Sequence, residues 1–278
     1  MSKKGRHKQD LVGLFDEFVE TGDAEKVLRY IISNSNLPSP RANLELAAAF
    51  SELVEGYSRE GEAKFWELVI KMTAVSADEA PVNAPEEFIS FCGAVGVGSI
   101  ASASPQLFEP ALATLRGLAQ DARWRMREAV AMGLQRLLAR RGRDTLKELE
   151  RWVASGDSLE MRAVAAAVAD PAALRREETA LSALQLHRDI MSQVLSTGER
   201  KSEAFRILRK ALGYTLSVVV TAVAQDGFEY MAQLIGTQDS DVLWIVKQNL
   251  KKNRLVKNFP EAVEATLKLL EWADNPSQ

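Results

Sequence analysis

The sequence predicts an all-α protein made of antiparallel helix pairs stacked side by side, and three observations predict it. Apolar residues recur with a helical period along almost every structured stretch, capping residues and proline mark helix starts, and one segment pattern returns along the chain. The clearest stripe runs from Lys201 to Ala224, where Phe205, Leu208, Leu212, Leu216, Val219 and Val223 are spaced 3, 4, 4, 3 and 4 apart. The β-branched run from Ser217 to Val223 lies inside that stripe, and the stripe's length argues for helix. Ser104-Pro105 and Asp170-Pro171 each put a capping side chain before a proline at the first helical position. Ala84-Pro85-Glu86-Glu87 sets two acids in a first turn, where they complement the helix dipole.

Of the 278 residues, 46% are hydrophobic and 26% charged, the mixture of a folded chain. The single cysteine, Cys92, excludes an intramolecular disulfide and a Cys-rich zinc site, and only His7 and His187 offer imidazole. No metal or other cofactor is therefore expected. Cys92 sits in apolar company as an inert core thiol, and His187 is expected on a helix surface beside Arg188 and Asp189. The longest uncharged run, 21 residues from Phe88 to Phe108, is diluted by serines, glycines, Pro105 and Gln106. It reads as a buried helix followed by a turn, with no membrane contact. The N-terminal charges lead into no apolar core with a cleavage site, so a cytoplasmic location is expected.

The repeating segment can be aligned. DARWRMREAV begins at Asp121 and DVLWIVKQNL at Asp241. Counting from each Asp, tryptophan falls at i+3 (Trp124, Trp244), an apolar residue at i+5 (Met126, Val246), a cation at i+6 (Arg127, Lys247) and an apolar residue at i+9 (Val130, Leu250). A third copy, GDSLEMRAVA, carries Met161 and Arg162 at i+5 and i+6, with Gly156 in the Asp position. Over about residues 105–256 this pattern resembles the HEAT repeat family. The resemblance implies a right-handed α-solenoid of HEAT-like antiparallel helix pairs, each burying one face against the next. It also implies an Asp that caps the inner helix and a cation that pairs with a neighbouring repeat's Asp. The expected organisation is a flexible basic tail (1–8), an N-terminal helical cap region of three or four helices (9–84) with a loop at 74–84, and the repeat region (85–278), closed by a helix over 260–274.

Charge is uneven. Residues 11–100 hold 6 Lys+Arg against 15 Asp+Glu, and residues 101–258 hold 24 against 18. Arg136, Arg140, Arg143 and Lys147 are spaced 4, 3 and 4, with Gly142 expected to break the helix between them. Lys247, Lys251 and Arg254 follow similar spacing beside Trp244, and Arg206, Lys210 and Tyr214 line the polar face of the 201–224 helix. Cations arrayed along a solenoid's concave face suit a phosphate backbone. Gly96, Gly98 and Ala101 match the glycine-rich dinucleotide fingerprint, but no alternating β/α pattern surrounds them, so they read as close-packing positions within a helix.

The stretch RKALGYTL, Arg209 to Leu216, is similar to one in the DNA alkylation-repair glycosylases built of HEAT-like repeats. The resemblance covers eight residues. It implies a DNA-facing aromatic at Tyr214, where the family has tryptophan, and a cleft tryptophan and carboxylate four apart at Trp124 and Glu128, with Glu in place of Asp. Arg162 then stands for the family's DNA-contacting arginine. The leading expectation is a non-enzymatic solenoid that binds a macromolecule, nucleic acid among the candidates, through Arg136, Arg140, Arg143, Arg162, Arg206, Lys210, Lys247 and Lys251. The alternatives are a glycosylase for alkylated purines, with Glu128, Trp124 and Tyr214 as catalytic groups, and a protein-docking scaffold.

Overall fold

A computed structural model of the protein describes residues 1–274; residues 275–278, the end of the expected repeat region, lie outside the described residues. Among the described residues there are thirteen α-helices, two short 3-10 turns and no strand. The helices are α1 (Lys3–Thr21), α2 (Glu25–Ser33), α3 (Leu44–Thr73), α4 (Glu87–Ala103), α5 (Phe108–Leu118), α6 (Trp124–Ala154) and α7 (Ser158–Val168). They continue as α8 (Glu177–Ser196), α9 (Glu203–Ala222), α10 (Ala224–Gly236), α11 (Ser240–Leu250), α12 (Asn253–Asn258) and α13 (Pro260–Asp274). The 3-10 turns are Pro105–Leu107 and Ala173–Arg175. The all-α class is the one the apolar periodicity predicts. No helix among the described residues is long and apolar enough to cross a membrane.

The chain forms two compact units, residues 1–141 and 142–278. The contacts do not divide at residue 84, because α3 and α4 pack extensively on each other across the 74–84 loop. Residues 1–8 are not a loose tail. Ser2 caps α1 by accepting the Gly5 N–H at 3.1 Å, and Lys4 and Lys8 both pair with Glu52 on α3. The expected break between Arg140 and Arg143 is present as a kink in α6, with Arg141 (φ −123°, ψ 40°), one residue before Gly142, as the non-helical residue.

In the first unit, Phe15 and Phe18 of α1 interlock with Phe50 and Phe65 of α3, ring centroids 5.7 Å apart for Phe15–Phe50 and 5.3 Å for Phe18–Phe65. Every residue of α4 from Glu87 to Ser102 is buried, Cys92 included, and burial pushes its thiol well above the ordinary cysteine range. A helix enclosed on all sides needs small residues where a neighbour's backbone comes close. A Cβ on Gly96 would sit 2.7 Å from Val69, and one on Gly98 only 2.2 Å from the Gly133 carbonyl oxygen of α6. The fingerprint glycines are therefore packing positions in mid-helix.

In the second unit, alternate helices α7, α9 and α11 are neighbours, with α8 and α10 packed on them, the order of a helical repeat stack. Asn249 of α11, fully buried, is a polar key into α9. Its amide donates to the Leu212 carbonyl at 2.8 Å, and its oxygen accepts the Ser217 N–H at 2.8 Å. His187 is buried, not on a surface as expected. The Ala183 carbonyl can only accept, so Nδ1–H donates to it at 2.9 Å, leaving Nε2 to accept from the Thr215 hydroxyl at 3.0 Å. Burial pushes His187 down to about 4, and the ring is a neutral structural group.

The repeat register holds for the core and changes for the polar positions. Met126, Met161, Val246, Val130 and Leu250 are all buried. Asp157 caps α7 and Asp239 caps α11, each accepting two backbone N–H bonds. Asp241, aligned with Asp121, instead holds Arg200 at 3.2 Å and Arg209 at 2.9 Å. Arg127, at i+6, donates to the carbonyls of Asp121 and Ala122 at 2.7 and 2.9 Å.

Gly98→Ala drives a methyl into the Gly133 backbone and is expected to destabilise the first unit by about 3 kcal/mol. Gly117→Ala on α5, with open space around it, should instead gain up to about 1 kcal/mol. Chemical denaturation of both variants checks the pair, and a Gly98→Ala protein of unchanged stability would contradict the contact.

Candidate functional site

The first unit holds a cleft of about 670 Å³ between the segment Asn36–Glu45 and the first turns of α6. Its lining includes Trp124, Arg125, Glu128, Phe91, Asn43 and Leu44. The segment is anchored by Asn43, whose side-chain oxygen caps α3 by accepting the Leu46 N–H at 3.1 Å and whose amide donates to the Asn34 carbonyl at 2.8 Å. The same amide lies 3.1 Å from His7 Nε2. Tyr30 donates its hydroxyl hydrogen to Asp10 at 2.8 Å, so its oxygen accepts from His7 Nδ1–H at 2.8 Å and Nε2 is free to accept from Asn43. Burial and the Asp10 carboxylate raise the Tyr30 hydroxyl well above the ordinary tyrosine range.

Of the three arginines at alternate positions in the run RWRMR, Arg125 lines this cleft, and all three are buried. At about 100° per residue Arg125 and Arg127 point to opposite sides of α6, so the run cannot lie wholly in solvent. That is the sequence signal for Arg125; neither it nor Arg123 nor Glu87 stands among the expected site residues. Arg123 is buried and clamps the 74–84 loop, donating to Asp121 at 2.7 Å and to the Val75 carbonyl at 3.0 Å. Arg125, 1% exposed, donates to Glu87 at 3.1 Å, to the Ser39 carbonyl at 2.6 Å and to Asn83 at 2.8 Å. Its guanidinium lies 4.3 Å from the Trp124 ring centroid. Arg125 Nε and Glu87 Oε1 are left without partners, both out of contact with water.

The expected site residues fall in both units. Trp124, 43% exposed, and Glu128, half-buried, line the same cleft of the first unit. Arg136, in that unit, is half-buried, and Arg140 is exposed but paired with Glu55. In the second unit Arg143, Arg206, Lys210, Lys247 and Lys251 are exposed and Tyr214 is half-buried. Arg206 spends a donor on the Lys201 carbonyl at 2.7 Å. Arg162 does not face solvent: all of α7 from Glu160 to Val168 is buried, and Arg162 is 6% exposed, which removes it from a surface contact set. Trp244 is not an open face beside Lys247 and Lys251. Its ring packs on Gly213, where an added Cβ would lie 3.1 Å away, and Arg209 sits 4.1 Å from its centroid.

A groove of about 600 Å³ in the second unit runs between the end of α6 and the start of α8, lined by Arg143, Lys147, Arg176, Thr179, Glu150 and Glu178 among others. Arg143, Lys147, Arg176, Lys210, Lys251 and Arg254 make no side-chain hydrogen bond or ion pair among the described residues. Among those residues no cluster of His, Cys, Asp and Glu has the grouping a metal ion requires.

No protein-family model matches the chain and no curated protein is similar to it, so the HEAT and glycosylase resemblances rest on their own residues. Among solved structures, the designed armadillo repeat protein YIII(Dq)4CqI is similar at 14% identity, covering 89% of this chain and 100% of its own, with a TM-score of 0.31.

Arg125→Ala strands the Glu87 carboxylate in the interior and is expected to cost about 3–5 kcal/mol in denaturant unfolding. The double variant Arg125→Met/Glu87→Leu should recover most of that loss, because no buried charge remains. A single variant that loses less than about 1 kcal/mol would show that the pair does not anchor this wall.

Proposed function

We propose that the protein is a non-enzymatic helical-repeat module that binds nucleic acid through the second unit. The observation that carries this reading is the division of labour among its cations. Arg200 and Arg209 are neutralised by Asp239 and Asp241, whereas Arg143, Lys147, Arg176, Lys210, Lys251 and Arg254 have no partner among the described residues. Between Val242 and Pro260 the chain carries five cations, Lys247, Lys251, Lys252, Arg254 and Lys257, and no acid. Unneutralised charge repeated along neighbouring elements suits an anion repeated along a polymer. Lys210 lies on α9 and Lys251 directly follows α11, and those two helices pack on each other.

Fluorescence anisotropy with a labelled oligonucleotide checks the reading. With about four phosphate contacts, affinity should fall about a hundredfold between 50 and 200 mM salt. Lys251→Ala combined with Arg143→Ala should lower the slope of log affinity against log salt by about two. Protein that leaves DNA and RNA unbound at low salt would sink the proposal.

A second reading, excision of alkylated purines, is favoured by one observation: Trp124 and Glu128 line a single cleft. An aromatic face attracts a cationic base, and a carboxylate stabilises the positive sugar as the glycosidic bond breaks. Release of methylpurine from an oligonucleotide, abolished by Glu128→Gln, is the expected result. Wild-type protein that releases no base eliminates this reading.

A further inference from the structure

We infer that the second unit also holds a pocket for one unstacked nucleotide, and that the protein accordingly prefers single-stranded over duplex nucleic acid. The inference rests on the nucleic-acid reading above and names a substrate form for it. The pocket, about 370 Å³, lies where the last turn of α9 meets the 3-10 turn Ala173–Arg175 on one side and α12 on the other. Its lining is mostly apolar, with Leu174, Val218 and Ala222. Arg175 and Arg254 line it as well, from those two different elements, and neither makes a side-chain hydrogen bond or ion pair among the described residues.

A mostly apolar lining with two unneutralised cations calls for a ligand with a flat, poorly hydrated body and an anionic group at its edge. A nucleotide has both, and the pocket is the size for one base with its sugar. Lys251, Lys252 and Lys257 extend the positive charge beyond the pocket on the same acid-free stretch, which fits a chain of phosphates continuing past the seated residue. Thr221, half-buried at the pocket wall, supplies a hydroxyl within the lining, although it already donates to the Ser217 carbonyl at 2.8 Å and so offers only acceptor capacity. Recognition is therefore by shape and charge and tolerant of base identity. A base leaves a single strand at far lower cost than a paired duplex, hence the preference for single strands.

The test uses the full chain and three labelled probes: a single-stranded oligothymidylate, a strand of equal length and charge with abasic sites, and a duplex with the same number of phosphates. Anisotropy at low salt should show the oligothymidylate binding about tenfold tighter than the abasic strand and tighter than the duplex. Ala222→Met fills the pocket without altering charge and should bring oligothymidylate binding down to the level of the abasic strand. Arg175→Ala and Arg254→Ala should each weaken both single strands. Equal affinity for the oligothymidylate and abasic strands overturns the pocket while leaving phosphate binding by the unit intact. Absence of binding to every probe overturns the nucleic-acid reading and the pocket with it. An acidic peptide that competes with the oligothymidylate, and loses its own binding in Ala222→Met, assigns the pocket to a protein segment and overturns the inference.

Discussion

Two helices, α4 in the first unit and α7 in the second, have almost no side facing water, and that constraint governs what surrounds them. A helix enclosed by protein must be apolar or small on nearly every face, and its polar groups turn to partners inside the fold. In α4 glycines stand where α3 and α6 approach, and Ser90 and Ser102 bond to the Val75 and Ser99 carbonyls at 3.1 and 2.7 Å, while the Ser99 hydroxyl has no partner among the described residues. Its one buried acid, Glu87, is held by Arg125, and through Arg125 the helix is tied to Ser39 and Asn83. The cleft beside Trp124 is a consequence: the arginine that completes the interior also forms part of its wall.

Charge in this chain does two different jobs, and the distinction is visible only in three dimensions. Arg123 and Arg125 act as internal fasteners, each bonding to carbonyl groups from distant segments. Arg200 and Arg209 fasten α9 and its preceding turn to α11 through Asp239 and Asp241. Arg143, Lys147 and Lys251 bond to no side chain among the described residues and leave their field to the solvent or a partner. A count of Lys and Arg cannot separate the two groups, since they differ in what the rest of the fold brings within reach.

The helical class and the core positions were legible because apolar spacing is a local property: Phe205 through Val223 predicts α9, and Met126 and Val246 are buried as their register requires. Burial of α4 and the packing role of Gly96 and Gly98 were legible too, from composition alone. Polar assignments fared worse, because they depend on which distant backbone a side chain meets. His187 looked like a surface residue beside Arg188 and Asp189, yet it seals a contact with Thr215, 28 positions away. Arg162 looked like a contact cation and is enclosed with the rest of α7. Alternation of arginine at 123, 125 and 127 was the available hint that the run does not lie wholly in solvent, and all three are buried.

Cys92 is the single sulfhydryl of the chain and sits at the centre of α4, wholly enclosed. A maleimide in the bath can reach it only when α4 separates from its neighbours, so the labelling rate becomes a stopwatch for breathing of that interior. The protein thus carries its own reporter of fluctuation, readable by mass spectrometry with no engineered tag and no competing site.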